Sequence, residues 1–335
     1  MDFTPINNQK YIPAMFIGDI HGSMSDFDKA VNMALRNGVE NAIFVGDFWL
    51  YDDKELLKAE KVISRNCKQF GANKENFKVY FIDGNHENFF QLAEYMVNNG
   101  VDFSQVYGKA ASEGIMENLY QDYDGRKLKT NLRPISMSHH EVIEIAPNFF
   151  YAPRGSVIEI DNTTIGFLGG AFSIDYKMRT DGKDWFSLEE VINENDVDFA
   201  IKNFAKHKNI DIFVTHDTVN NSGLNSRLNH LSNDFLAEIN SDTNLSQKKF
   251  LSQVKDTINP SICVHGHYHT PYVKFVDNDN NDVTKDFYNV GLGKNSEYGS
   301  FAILPKLDTY ALNYEDKYGI HLLGFKDTVF DSECY

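Results

Sequence analysis

Cysteine is scarce in this chain, and positive charge is in short supply. Three cysteines occur in 335 residues, Cys67, Cys263 and Cys334, an odd total with no Cys-x-x-Cys pair. That usage argues against a disulfide framework and suits a reducing compartment with thiols used for packing. Lysine and arginine number 32 against 48 aspartates and glutamates, a formal charge of −16. So acidic a surface argues against gripping nucleic acid or an anionic membrane through a broad basic face. An anionic substrate stays open, because bound metal ions can dominate the field inside a cleft. No run approaches the 18 or so apolar residues of a membrane span. No basic segment followed by an apolar core marks the N-terminus, so a soluble, cytoplasmic protein without a signal peptide is expected. Internal repeats, low-complexity tracts and Pro/Ser-rich linkers are missing as well. One compact domain over residues 1–335 is therefore expected, with insertions at about 101–145 and 219–246 and extra C-terminal strands at about 300–335.

What is present is a repeated sentence of strand, polar tip and helix. An apolar run from Tyr11 to Ile17 leads into Gly18-Asp19-Ile20-His21-Gly22. Helical spacing follows, with Ser25 or Asp26 as the expected cap and Gly38 as the stop. The run Ala42 to Val45 ends in Gly46-Asp47, and a helix is expected from Lys54 to Phe70, stopped by Gly71. A third run, Lys78 to Asp83, meets Gly84-Asn85-His86-Glu87 before another helical segment. Such alternation predicts parallel strands covered by helices. Ligand sites in open α/β sheets lie beyond the carboxyl ends of the strands, which is where all three tips fall.

The second half repeats the logic. A hairpin is expected for Val157–Ile160 and Thr164–Leu168 around Asp161-Asn162, and a helix for Asp196 to Lys206. The strand Ile210–Val214 ends in Thr215-His216-Asp217, and Ser261–Val264 ends in His265-Gly266-His267-Tyr268-His269. Side chains two apart in an extended segment point to one side, so Asp19 with His21, and His267 with His269, are expected to share a space. Val219 to Ser246 reads as a long polar connection. The nitrogen and oxygen donors Asp19, His21, Asp47, Asn85, His216, His267 and His269 suffice for two adjacent metals if one carboxylate bridges. Such a set fits Mn, Fe, Zn, Co or Ni better than Ca or Mg, which prefer oxygen shells. His265 has no ligand register and reads as structural. Glu87 could orient a neighbour or favour a helix N-terminus.

These motifs, in this order, resemble the calcineurin-like metallophosphoesterase superfamily. Arg154-Gly155 and Gly169-Gly170-Ala171-Phe172-Ser173-Ile174-Asp175 further resemble its bacterial and phage-type branch. The resemblance implies a four-layer α/β/β/α sandwich of two mixed sheets with a dinuclear site at strand C-terminal ends. It implies that Asp19, His21, Asp47 and His269 hold one metal, manganese first, and that Asp47, Asn85, His216 and His267 hold the other. Asp47 would bridge, and His86 would serve the leaving group as the catalytic acid or charge stabiliser. A hydroxide activated by the two metals would attack phosphorus in a phosphate mono- or diester. Arg154, Arg179 and Asn85 are candidate substrate-binding residues, with a structural ion pair the competing reading for each arginine.

Two departures narrow the substrate. Protein phosphatases of the superfamily carry an arginine in the second motif, where this chain reads Gly46-Asp47-Phe48-Trp49-Leu50-Tyr51-Asp52, and another before Gly-Asn-His-Glu, where it has Asp83. A phosphorylated small molecule or phosphodiester is therefore preferred to a phosphoprotein. The alternatives are a nuclease or protein phosphatase of the same superfamily, or a non-catalytic metal-binding scaffold.

Overall fold

The computed structural model describes residues 11–109, 132–181, 183, 185–220, 222–228, 233–276, 287–297, 299–305 and 320–323. Its centre is a pair of mixed sheets. In the first, Tyr11–Ile17 (β1), Asn41–Phe44 (β2), Lys78–Phe81 (β3) and Phe149–Tyr151 (β5) run parallel. Ile143–Ala146 (β4) closes one edge, and Phe301–Pro305 (β12) with His321–Leu323 (β13) extends the other, each antiparallel to its neighbour. The order is β13-β12-β1-β2-β3-β5-β4.

The second sheet holds Val157–Ile160 (β6), Thr163–Leu168 (β7), Ile212–Thr215 (β8), Ile262–His265 (β9), Tyr272–Val276 (β10) and Phe287–Gly291 (β11), in the order β10-β11-β9-β8-β7-β6. Here β7, β8, β9 and β11 are parallel, with β6 and β10 as antiparallel edges. The β6–β7 turn at Asp161 and Asn162 has φ of 52° and 61°, the left-handed pair that a tight hairpin requires.

Alternation along the strands builds three cores, hence four layers. On β1, Ile12, Ala14 and Phe16 join the cluster between the sheets, whereas Met15 and Ile17 join the cluster under the first helical layer. On β8, Ile212 and Val214 face the other sheet while Phe213 packs with Val197, Ala200 and Leu251 of the outer helices. Met24–Arg36 (α1), Asp53–Phe70 (α2), Phe89–Asn98 (α3) and Phe103–Tyr107 (α4) lie on the first sheet's side. Glu194–Phe204 (α5) and Asp242–Ile258 (α7) cover the second, with Asn233–Ile239 (α6) before α7. The sandwich expected from the resemblance is the one observed. Among the described residues no helix is long and apolar enough to cross a membrane.

Several local expectations change. Ser23, not Ser25 or Asp26, caps α1 by accepting from Asp26 N, while Asp52 and a left-handed Gly71 bound α2. The expected polar connection from 219 to 246 carries a 3₁₀ turn at Leu224–Arg227, α6 and the start of α7. Leu224, Leu228 and Ile239 are buried there against Tyr268 and Tyr272. Their apolar positions are too sparse to show a helical period in the sequence. Within the expected insertion at 101–145, residues 110–131 lie outside the described residues, as do 306–319 and 324–335 of the stretch where extra C-terminal strands are expected.

Arg154 is the largest fully buried side chain among the described residues. Its Nε donates to Asp83 Oδ2 at 2.9 Å, and its two terminal nitrogens reach Asp196 Oδ2 and the carbonyls of Glu189, Glu190 and Val191. All five guanidinium donors are thereby used. A substrate phosphate finds no donor left, so the competing ion-pair reading holds for Arg154. Asp83, at the position of the missing arginine, also accepts from Tyr151 Oη at 3.0 Å. Arg154→Ala leaves two buried carboxylates without their cation, and a loss of about 3–5 kcal/mol in urea unfolding is expected. A loss below about 1 kcal/mol together with a raised KM would return Arg154 to the substrate.

Candidate metal centre

The polar tips converge just past the C-terminal ends of β1, β2, β3, β8 and β9, as the strand order requires. The local geometry that brings them together is not the extended one expected. β1 ends at Ile17 and β9 at His265, before the paired donors begin. His21, Asp47, His267 and His269 have φ of 46°, 51°, 65° and 53°. Side-chain-bearing residues seldom occupy this left-handed region, and clustering of such strain is typical of functional sites. Turns, not continued strands, fold each donor back into one space. Close approach needs missing side chains too: a β-carbon on Gly84 would lie 2.2 Å from Asp47 Oδ1, and one on Gly266 2.1 Å from Asp19 Oδ1.

Asp47 sits at the middle. Its Oδ1 accepts from His86 N at 2.9 Å. Its Oδ2 faces His216 Nε2 at 3.5 Å, His21 Nδ1 at 3.6 Å and His86 Nε2 at 3.9 Å. Burial opposes its ionisation, yet His216, His86 and His21 hold the carboxyl well below the usual range. Glu87 Oε1 accepts from Phe48 N at 2.9 Å, which braces the turn after Asp47, and burial lifts the Glu87 carboxyl to about 8.

The donor atoms crowd in a way that calls for a cation. His269 Nε2 lies 3.1 Å from Asp19 Oδ2 and 3.1 Å from His21 Nε2. His216 Nδ1 donates to Val45 O at 2.7 Å, which turns Nε2 toward Asn85 Oδ1 at 3.1 Å. His267 Nε2 is buried without a hydrogen-bond partner, and burial, then His216, pushes that imidazole well below its ordinary value. It stays neutral with a lone pair to give. His216 shows the field of the site: burial would lower it, but Asp47 and Asp19 carry it up to about 10. Among the described residues three overlapping groups could each hold an ion: Asp19, His21 and His269; His21, Asp47 and His86; and Asp19, Asp47 and His216. An orphaned imidazole nitrogen beside two buried carboxylates fits divalent ions with mixed nitrogen and oxygen shells.

Two residues that sequence reasoning missed orient Asn85. Its Nδ2 donates to Ser173 Oγ at 3.0 Å, and Ser173 Oγ donates to Glu190 Oε2 at 2.7 Å. Glu190, fully buried, also accepts from Ser173 N and Trp185 Nε1. The chain of bonds fixes the carboxamide so that its oxygen, not its nitrogen, meets His216. Ser173 stood in a recognisable motif, but nothing in the text announced Glu190. His265 has the structural role expected: Nδ1 donates to Gly266 O and Nε2 accepts a hydrogen bond from Tyr272 Oη at 2.7 Å, with burial pushing the imidazole down to about 4.

Arg179 enters the cleft where Arg154 does not. Asp175 holds its guanidinium through Nε at 2.7 Å and a terminal nitrogen at 2.6 Å, and that nitrogen is 3.0 Å from His86 Nε2.

Ser173→Ala should free the Asn85 amide to turn and weaken divalent metal binding about 10–100-fold, read by titration with Mn. A lower thermal midpoint with unchanged metal affinity would assign the hydroxyl to stability alone.

The sequence profile described as calcineurin-like phosphoesterase matches residues 12–271. No curated protein is similar enough to match. Among solved structures, the protein TT1561 of Thermus thermophilus aligns at 10% identity with a TM-score of 0.44, covering 87% of this chain and 92% of that one. The sulfate thiohydrolase SoxB of Thermus thermophilus, in complex with glycerol, aligns at 12% identity with a TM-score of 0.32, covering 86% of this chain and 40% of its own. Matched over most of its length, this chain belongs to the calcineurin-like phosphoesterase family, hydrolases that act on phosphoester bonds with a dinuclear divalent metal site.

Proposed function

We propose that the chain hydrolyses phosphate mono- or diesters of small molecules. One divalent metal, manganese first, would be held by Asp19, His21, Asp47 and His269, and the other by Asp47, Asn85, His216 and His267. The observation that carries this reading is Asp47: one carboxylate oxygen is pinned by a backbone N–H, and the other faces imidazoles from three separate tips. Metals bound there supply a nucleophile at neutral pH and Lewis acidity at phosphorus.

The protein's own groups set the rest. Arg179, oriented by Asp175, offers a cation beside His86, in a loop that compensates for the arginines absent from the second and third motifs. Asp175 occupies the Nε edge of its fork, so the guanidinium would act on phosphoryl oxygens mainly through its charge. Burial lowers the His86 imidazole, Asp47 opposes, and Arg179 and His21 add to the depression. A phosphoryl dianion arriving beside it works in the opposite sense and favours the proton that the leaving oxygen needs.

Purified protein with added Mn should hydrolyse aryl phosphate mono- or diesters, and a chelator should stop turnover. His86→Ala should lower kcat about 10²–10⁴-fold while metal content is retained. Asp47→Asn should lose both metal and turnover; full activity in that variant would overturn the dinuclear reading.

A further inference from the structure

A cavity of about 360 Å³ opens from His21 and His86 and runs away from the metal cluster toward the start of α2. It lies on the His86 side, where the proposed reaction releases its alcohol. Its volume suits one small-molecule group. Trp49 stands in its wall, 42% exposed, with its ring edge-on to His86 at 6.3 Å between centroids.

The Trp49 backbone has φ of 60°, a region bulky residues seldom adopt. Its turn is tied down by Gly22 N donating to Phe48 O, and by contact so close that a β-carbon on Gly22 would meet Trp49 Cβ at 3.3 Å. The fold therefore holds an indole out of the core, in a strained turn, at the mouth of the reaction site. Packing does not account for such a position.

The α2 end of the cavity is acidic. Asp52 and Glu55 line it together with the amide of Gln91. Asp52 caps α2 by accepting from Lys54 N and Glu55 N, so its place is fixed. Burial, then Asp52, raises the Glu55 carboxyl, which marks the two acids as near neighbours. Lys183 is the basic side chain of the lining, while Arg179 stands at the reacting end beside His86. A leaving group with a second phosphate or an acidic peptide flank is repelled by the acid pair. A flat, uncharged ring with N–H and O–H donors is matched on its face by the indole and at its edge by carboxylates and an amide.

We propose that this cavity selects a nucleoside as the leaving alcohol, its base stacked on Trp49 and its amino or hydroxyl donors taken by Asp52, Glu55 and Gln91. The proposal rests on the phosphoesterase reading above. In the reaction, water's oxygen forms the new bond to phosphorus, the bond to the nucleoside oxygen breaks, and that oxygen takes a proton, giving nucleoside and phosphate.

The test compares adenosine monophosphate, glycerol phosphate and phosphocholine as substrates of the Mn-loaded full chain, with calorimetric titration by adenosine alone. Adenosine monophosphate should exceed glycerol phosphate at least tenfold in kcat/KM. Trp49→Ala should reduce that ratio on the order of tenfold, the size of a lost base–aromatic stack, and Trp49→Phe should recover most of it. Adenosine binding should disappear in Trp49→Ala and weaken in Glu55→Gln. Equal kcat/KM for the two esters, a preference for phosphocholine, or a Trp49→Ala defect equal on all substrates would overturn the proposal. Should no ester be turned over, the phosphoesterase reading falls, and the adenosine titration still decides the cavity: binding lost in Trp49→Ala supports it, and no binding to the unaltered chain overturns it.

Discussion

A carboxylate with almost no exposure to water has to be matched by positive charge or by donors, and Asp47 is that carboxylate here. The fold answers with a backbone N–H on one oxygen and imidazoles from three tips near the other. The strand order follows this demand: β1, β2 and β3 bring Asp19, Asp47 and Asn85 from one sheet, and β8 and β9 bring His216 and His267 from the other. The two sheets meet through a shared apolar cluster, so their C-terminal edges cannot drift apart. Left-handed backbone at four of the donors is tolerated because that cluster leaves the turns little room to relax.

A second buried charge sets the outer wall. Arg154 joins Asp83 after β3, Asp196 in the first turn of α5 and three successive carbonyls from Glu189 to Val191. A buried ion pair is poor evidence for net stability but good evidence for position. What it positions is the stretch that carries Glu190, whose carboxylate aligns Ser173 and through it Asn85. Arg133 adds a bond to Glu189 Oε1 at 2.6 Å and an ion pair to Asp181 at 3.1 Å, tying the same loop from its other side. The orientation of Asn85 at the centre thus depends on an arginine that never reaches it.

The parallel frame and the donors were legible because both use strong local signals: apolar runs, Gly-Asp or Gly-Asn tips and helical spacing. Strand alternation is the wrong mechanism for pairing Asp19 with His21 and His267 with His269, since turn dihedrals leave no trace in an alternating pattern. Glu190 and the contact between Arg179 and His86 were invisible for another reason. Arg179 lies 93 positions from His86, and only the folded loop turns that separation into a hydrogen bond. Arg154 and Arg179 read alike as text, yet one faces five internal acceptors and the other the cleft. The helices between 219 and 246 stayed hidden because tertiary burial of a few residues, not periodicity, stabilises them.

On the proposed reading the phosphate-facing cation sits on the loop after β7 and not in the second motif, which would change what the cleft can discriminate. An arginine beside Asp47 would hold the phosphoryl group from the β2 side whatever the alcohol attached to it. With Phe48-Trp49 in that turn, the β2 side offers an indole and the Asp52–Glu55 acid pair, and Arg179 stands beside His86. The phosphoryl end is then common to any ester, and the energetic difference between esters has to come from the alcohol. The chain's overall charge of −16 does not conflict with an anionic substrate on this view. Charge at the reacting end is set by a few groups within 4 Å of Asp47, and at such range in a low-dielectric cleft they outweigh a screened acidic surface.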